Sequence, residues 1–170
     1  MDKQITIRQS GADELVLRSI SGQDCERLRK WKNANKSAFF YDKHITSEDQ
    51  NKWYLGYLRD PQNYMFILEH SSAPIGCIGF KLVCEGADIY NVIMGDLNYR
   101  RKGILSIGLN MLCSYIKKSH TEKIFLKVLD KNTTAHRFYL KNGFIITGKK
   151  EDHLVMEMRR SVILPIEISE

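Results

Sequence analysis

The sequence predicts a single α/β domain, a mixed sheet of about seven strands with about four helices, spanning residues 1–170 with its core between about 13 and 160. Three observations carry this expectation. A chain of 170 residues with 43% hydrophobic and 27% charged side chains suits one packed core and is not disordered in composition. No Pro-, Gly- or Ser-rich linker, internal repeat or low-complexity tract divides it. Short β-rich runs also alternate with stretches of helical periodicity, as in a sheet that carries helices on its faces.

In chain order, residues 15–18 read as a short strand and 24–33 as a helix, with Leu28 and Trp31 three apart on one face. Residues 35–45 form a loop that carries the adjacent Phe39 and Phe40. Ser47-Glu48-Asp49-Gln50 fits a capping box, so a second helix starts at Thr46 or Ser47, with Trp53, Tyr54, Tyr57 and Leu58 as its apolar face. Residues 64–69, 75–83 and 88–94 are β-rich, the first two joined by a hairpin at Ser71-Ser72-Ala73-Pro74. A long helix follows over 104–118. Ile104, Ile107, Gly108, Met111, Leu112, Tyr115 and Ile116 form its apolar stripe, with Ser106, Asn110, Ser114 and Lys117 opposite. Residues 123–128 read as a buried strand, 132–141 as a helix stopped by Asn142-Gly143, and 144–147 and 154–158 as closing strands. Residues from 161 onward carry no clear pattern. The unit strand, 104–118 helix, strand should be a right-handed crossover between parallel strands.

Composition excludes several function classes. No apolar run is long enough to span a bilayer and the N-terminal MDKQITIRQS lacks a secretory pattern, so the expectation is a cytoplasmic protein with no membrane partner. Cys25, Cys77, Cys84 and Cys113 form no C-x-x-C pair and no histidine stands at a ligand spacing from them, so no metal is expected. The formal net charge of +6 favours polyanions, but it is spread out, with short clusters only at Arg100-Arg101-Lys102 and Lys149-Lys150. That suits a small anion site better than a nucleic-acid track, and no nucleic-acid motif is present.

The first chemical signal is Met94-Gly95-Asp96-Leu97-Asn98-Tyr99-Arg100-Arg101-Lys102-Gly103-Ile104-Leu105. A strand ends, a basic turn with a glycine follows, and the long helix begins. The first amides of a helix lack internal partners and sit at its positive end, so they can hold a phosphate. Neither a G-x-x-x-x-G-K-[ST] nor a G-x-G-x-x-G pattern is present, which argues against an ATP-type loop and a dinucleotide fold.

The second signal is Asn132-Thr133-Thr134-Ala135-His136-Arg137-Phe138-Tyr139-Leu140-Lys141-Asn142-Gly143-Phe144. Its N-x-x-A-x-x-F-Y-x-x-x-G-F pattern resembles the second cofactor motif of the GNAT acyltransferase superfamily. Arg100-Arg101-Lys102-Gly103-Ile104-Leu105 resembles that superfamily's [QR]-x-x-G-x-[GA] pyrophosphate loop, and a helix and a strand separate the two as the superfamily requires. Leu105 departs from the pattern, which prefers glycine or alanine there, and Arg101 stands where glycine is frequent.

The resemblance implies an N-acetyltransferase with acetyl-coenzyme A (acetyl-CoA) as co-substrate. By position, Arg100, Arg101, Lys102, Gly103, Ile104 and Leu105 would hold the pyrophosphate. Met94, Gly95 and Asp96 would pair with the pantetheine arm as an added strand, Asn132 would hydrogen-bond that arm, and Tyr139 would protonate the departing thiolate. An amide of Met94 or Gly95 would serve the carbonyl oxygen as it gains charge. A tyrosine suits the acid role because it is still protonated at neutral pH. The general base stays unassigned among Glu85, Asp88, Asp96, His44, His136 and water.

For the acceptor, Trp31-Lys32-Asn33, Phe39-Phe40 and Ile45-Thr46-Ser47-Glu48 followed by Trp53 resemble two GNAT branches. One acetylates 4-amino groups of nucleotide-linked deoxysugars, as in the pseudaminic acid pathway. The other acetylates protein N-termini, as do the ribosomal-protein alanine acetyltransferases. The spacing favours the sugar branch, with Phe40 stacking on a base or sugar face and His44 meeting a diphosphate. A CoA-binding module without turnover is the alternative from another class. The resemblance also implies a homodimer, with residues 162–168 as an interface strand.

Overall fold

The computed structural model describes residues 4–160 and 162–170. Tight turns set the strand pairing. Ser71 and Ser72 take the left-handed conformation (φ 48° and 66°) of a two-residue hairpin turn and join β3 (Asn63–His70) to β4 (Ala73–Val83). β5 (Gly86–Met94) turns back onto β4, and β2 (Ala12–Ser19) lies antiparallel on the other side of β3. α1 (Cys25–Ala34) and α2 (Ser47–Arg59) are inserted between β2 and β3. After β5 the chain crosses through α3 (Ile104–Ser119) to β6 (Ile124–Leu129), which runs parallel to β5. Then come α4 (Thr133–Lys141), β7 (Phe144–Lys150) and β8 (His153–Met158).

Two short strands complete the sheet, β1 (Thr6–Gln9) and β9 (Ile166–Ser169). The order is β7-β8-β6-β5-β4-β3-β2-β1-β9. The sheet thus has nine strands instead of about seven and reaches past residues 13–160 at both ends. Each added strand has four residues, too few for alternation to register in sequence. Packing explains why they form. Ile7 is fully buried, Ile166 and Ile168 pack on the same core, and the amide of Leu164 donates to Ser114 Oγ at 3.0 Å. Ser114, expected on the polar face of its helix, is therefore buried under the tail and donates in turn to Asn110 O.

Two cores flank the sheet. Phe66, Phe80, Leu109, Leu112, Tyr115 and Phe144 fill the α3 face, where the predicted apolar stripe of α3 lies down except for Ile107, which is exposed near the start of the helix. Leu28, Tyr57, Met65, Ile67, Cys77 and Ile93 fill the face under α1 and α2. Consecutive residues of β3 serve opposite cores, so Met65-Phe66-Ile67-Leu68 is buried throughout. The N-cap of α2 is Thr46, not Ser47. Its Oγ1 accepts the Asp49 amide at 3.1 Å, and Asp49 Oδ2 accepts the Thr46 amide at 3.0 Å.

α1 is fixed at both ends. At its start Asp24, 1% exposed, accepts two hydrogen bonds from the Arg18 guanidinium (2.8 and 3.0 Å), one from Arg27 (2.8 Å) and one from the Ser21 amide (2.9 Å). Arg18 also binds Glu69, so the cluster joins β2, β3 and α1. Toward its end Trp31 lies on Gly95, where a Cβ would come within 2.0 Å of the indole. Burial alone would raise the Asp24 pKa, but hydrogen bonds from Arg18 and Ser21 outweigh it and hold the carboxyl below its ordinary value. A depressed folded-state pKa stabilises the fold above the unfolded carboxyl pKa of about 4, and that stability is lost as pH falls through the folded value. Asp24→Ala, which leaves Arg18 and Arg27 facing a void, should cost about 3–5 kcal/mol in urea unfolding at pH 7. The gap between mutant and wild type should narrow in acid.

Candidate active site

The site begins where the sheet opens. β5 and β6 pair only through Ala87 with Ile124, Asp88 with Phe125 and Ile89 with Leu126. Beyond that β5 stays with β4 as far as Met94, and β6 stays with β8 as far as Leu129, so the two halves part. A bulge marks the parting. The β4–β5 register passes from Cys77–Ile93 to Gly79–Tyr90, setting Asn91 and Val92 against Ile78 alone, with Asn91 in the left-handed region (φ 50°). A bulge bends its strand and leaves one residue's backbone groups out of the ladder.

Three cavities run through this opening in series. The outer one, about 550 Å³, lies at the start of α3 between Arg100, Arg101, Gly103, Ser106 and Lys141. The middle one, about 410 Å³, occupies the parting itself and is lined by Tyr90, Asn91, Val92, Val128, Asn132 and Tyr139. The inner one, about 270 Å³, lies beneath α1 and α2. Ala38, Phe39 and Val92 line both outer and middle cavities, while Lys32, Tyr41 and Asn91 line both middle and inner ones. The loop between α1 and α2 thus crosses the opening, with Asn132 Nδ2 reaching Ala38 O at 3.5 Å.

The outer cavity has the chemistry of a phosphate cradle. Gly103 (φ 78°) caps α3 without a side-chain bond, and the first helical bond to its carbonyl comes from Ile107 at 3.2 Å. The amides of Ile104, Leu105 and Ser106 are therefore the free donors of that helix end. Arg101 is also left-handed (φ 62°), and a left-handed residue next to a right-handed one turns successive backbone N–H groups inward as an anion nest. That conformation explains why glycine would be the easier residue at position 101. A Cβ on Gly103 would meet nothing within 4 Å, so the space above the turn is open. Leu105 lines the cavity but packs partly on the α3 core. Lys102 instead lies over the Tyr99 ring, 5.5 Å from its centroid.

Other expected residues fall in several places. Met94 lines the outer cavity, but Gly95 and Asp96 do not; both their amides donate to Ile75 O, at 2.8 and 2.9 Å. The strand edge facing the parting is therefore 90–94, and the Gly95 amide, expected to serve a carbonyl oxygen, is already given to Ile75. Asp96 itself accepts from the Asn98 amide. Asn132 caps α4, its Oδ1 accepting from the Ala135 amide at 3.1 Å, which leaves its NH₂ toward the parting. Tyr139 lies between Phe138 and Phe144 and lines the middle cavity, with no side-chain hydrogen-bond partner among the described residues. Burial, helped by Cys113, raises its pKa and keeps the phenol protonated.

Phe40 leans on His153 (5.4 Å, edge to face) and lines the middle cavity, while His44 is exposed and lines neither the middle nor the inner one. Sequence reasoning did not mark three residues as lining the site. Lys32 stands between the middle and inner cavities, its Nζ donating to Asn91 Oδ1 and lying 4.0 Å from the Phe39 ring centroid. Gln50 is 6% exposed on the inner cavity. Among the described residues no group of three His, Cys, Asp or Glu side chains could hold a metal ion, and no helix is long and apolar enough to cross a membrane.

A parted parallel strand pair, an anion cradle at the following helix and a buried phenol across the gap make up the candidate site. The sequence matches the acetyltransferase (GNAT) family over residues 26–144, and the chain belongs to that family. It is a single-domain N-acetyltransferase that uses acetyl-CoA. Solved structures of the same fold include spermidine N-acetyltransferase from Vibrio cholerae, determined with CoA and spermine (TM-score 0.74, 19% identity, 89% of this chain and 96% of that one). FdhC, a nucleotide-linked sugar GNAT, aligns with TM-score 0.71 and 18% identity over 85% of this chain and 86% of that one. The ribosomal L7/L12 acetyltransferase RimL, in complex with CoA, gives 0.71 and 16% over 89% and 96%. No curated protein matches the sequence.

Gly103→Glu sets a carboxylate on a left-handed residue in the open space above the turn. It should weaken acetyl-CoA binding by at least ~100-fold in calorimetry while the far-UV dichroism spectrum stays unchanged, since a Cβ at this position meets no other atom within 4 Å. Normal affinity would remove the cradle from the site.

Proposed function

We propose that this acetyltransferase transfers the acetyl group to a small-molecule primary amine, the 4-amino group of a nucleotide-linked deoxysugar, by direct attack on the thioester. The observation that carries the reading is the inner cavity. It is small and largely apolar, with Leu28, Ile45, Met65 and Ile93 as lining and Trp53 and Tyr41 as aromatic walls. Such walls suit the methyl group and ring faces of a deoxysugar, and the buried Gln50 amide suits its hydroxyls.

Charge supports the same choice. A polyamine or a peptide N-terminus enters as a cation and calls for free carboxylates. The acid on the lining, Asp49, is already engaged by Thr46 in the capping box. FdhC, named as acting on nucleotide-linked sugars, shares the fold, so this class of acceptor is compatible with the scaffold.

In this reading the turn from Arg100 to Leu105 holds the pyrophosphate by its amides and the Arg100 and Arg101 charges. Strand 90–94 and the Asn132 NH₂ align the pantetheine arm along the parting. A bulge amide meets the carbonyl oxygen as it gains charge. Tyr139, protonated and facing the middle cavity, gives its proton to the leaving thiolate. The reading places the protein in the cytoplasm. It allows a homodimer paired through β9, which ends the sheet within its own chain.

The test is thiol release from acetyl-CoA with a nucleotide-linked 4-amino-4,6-dideoxysugar, an alanine-initiated peptide and spermidine. Turnover with the sugar alone is expected, whereas turnover with the peptide alone would reassign the acceptor to protein N-termini. Tyr139→Phe should lower kcat by about 100-fold with the acetyl-CoA Kd unchanged. An unaltered kcat would end the general-acid role.

A further inference from the structure

An amine that attacks a thioester must lose a proton, and the acids and histidines suggested by sequence are engaged elsewhere. Glu85 is exposed in the β4–β5 turn, and His44 is exposed and off both cavities. Asp96 caps a turn, and His136 Nε2 lies 2.9 Å from Leu129 O. Asp88 borders the middle cavity where the strands are still paired, with Lys127 bonded to it at 3.0 Å.

Lys32 is differently placed. The last turn of α1 delivers it to the boundary that an acceptor amine must cross on its way from inner to middle cavity. Asn91 Oδ1 accepts one of its hydrogens and fixes the nitrogen beside the bulge. We propose that Lys32 is the base that removes the proton from the attacking amine, a catalytic role beyond the family assignment. It rests on the acceptor reading only in that the amine enters through the inner cavity.

The surroundings bring the free amine within reach of neutral pH. Burial drives the Lys32 pKa down to about 8. The Phe39 ring favours the ammonium form, but among the described residues no carboxylate ion-pairs with Lys32. Each neighbouring element presents a group that leaves this balance intact. Cys77 on β4 is itself pushed up to about 12 by burial and is neutral. Tyr90 on β5 donates to Asn63, Asp49 on α2 is held by Thr46, Asp88 and Lys127 neutralise each other, and Tyr139 on α4 is protonated. Tyr41 adds a phenol from the loop.

The step balances. The amine nitrogen bonds the acetyl carbon and its N–H proton passes to the Lys32 lone pair. The C–S bond breaks and the thiolate takes the Tyr139 proton. Lys32, now an ammonium, returns a proton to the Tyr139 oxygen across the middle cavity that both line. An amine that arrived as ammonium leaves one further proton in solvent. Because the base form grows as pH rises, kcat should climb about tenfold per unit below pH 8 and level off above it.

Two measurements test this, one of them independent of any acceptor. In the ¹³Cε-lysine spectrum of the protein alone, the resonance lost in Lys32→Arg should titrate near pH 8. A midpoint above about 10, the ordinary lysine range, would overturn the proposal. In turnover with whichever of the three acceptors the wild type uses, Lys32→Arg keeps the charge but cannot accept a proton. Its kcat should fall about 100-fold and lose the inflection, with acetyl-CoA Kd and Tm unchanged. If Lys32→Arg lowers Tm, Lys32→Gln replaces it. A kcat within threefold of wild type, with the same pH profile, also overturns it. Activity on the peptide and not the sugar would sink the acceptor reading while leaving the Lys32 result to stand on its own.

Discussion

Two parallel strands that pair over three residues and then part are the constraint on which the rest of the molecule depends. Neighbouring parallel strands normally stay paired along their length, because backbone groups left without partners in a dry interior are costly. Here the edge opened on β5 and the edge opened on β6 are left beside a cleft, and the bulge at Asn91–Val92 turns β5 away as the pairing ends. The opening gives an extended arm room to lie like a missing strand. The crossover that makes the strands parallel also sets the start of α3 at the mouth of that opening. Anion cradle and cleft are therefore consequences of one topology.

The acceptor side is built separately and then registered to the cleft by α1. Its start is held by the Asp24 cluster to β2 and β3, so the helix cannot slide along the sheet without breaking several charge-assisted bonds at once. Its last turn then carries Lys32 to the boundary between cavities, and the following loop crosses the opening to touch α4. Donor and acceptor halves meet at Asn91, whose backbone makes the bulge and whose side chain holds the lysine.

Much of this was legible in the sequence, for reasons that also mark where legibility ends. The apolar stripe of α3 spans four turns and could be read because a long repeat averages out exceptions. Ser114 is such an exception, polar yet buried, because a tail strand fifty residues later needs its hydroxyl. β1 and β9 escaped because four residues give no period to measure. At the site, the basic turn, Asn132 and Tyr139 were visible as residues close in sequence on one turn or one helix. Gln50 and Asn91 were not, and Lys32 was visible only as the middle of Trp31-Lys32-Asn33, since nothing local marks any of the three as lining a cavity. α1, α2 and a bulge in β5 bring them together only after the sheet has formed. Gly95 and Asp96 show the reverse: right in motif, yet with their amides already given to Ile75.

The contact of Trp31 with Gly95 has a consequence for how such enzymes diversify. The indole occupies the volume that any side chain at position 95 would need. A larger residue at 95 is admissible only in a lineage where position 31 has become smaller, and the large indole survives only while 95 remains bare. Two positions far apart in sequence, one on α1 and one just after β5, are thereby bound to drift as a pair. New acceptor preferences can accumulate freely along α2 and the crossing loop. Those that require α1 to tilt must wait for a matching change beneath it.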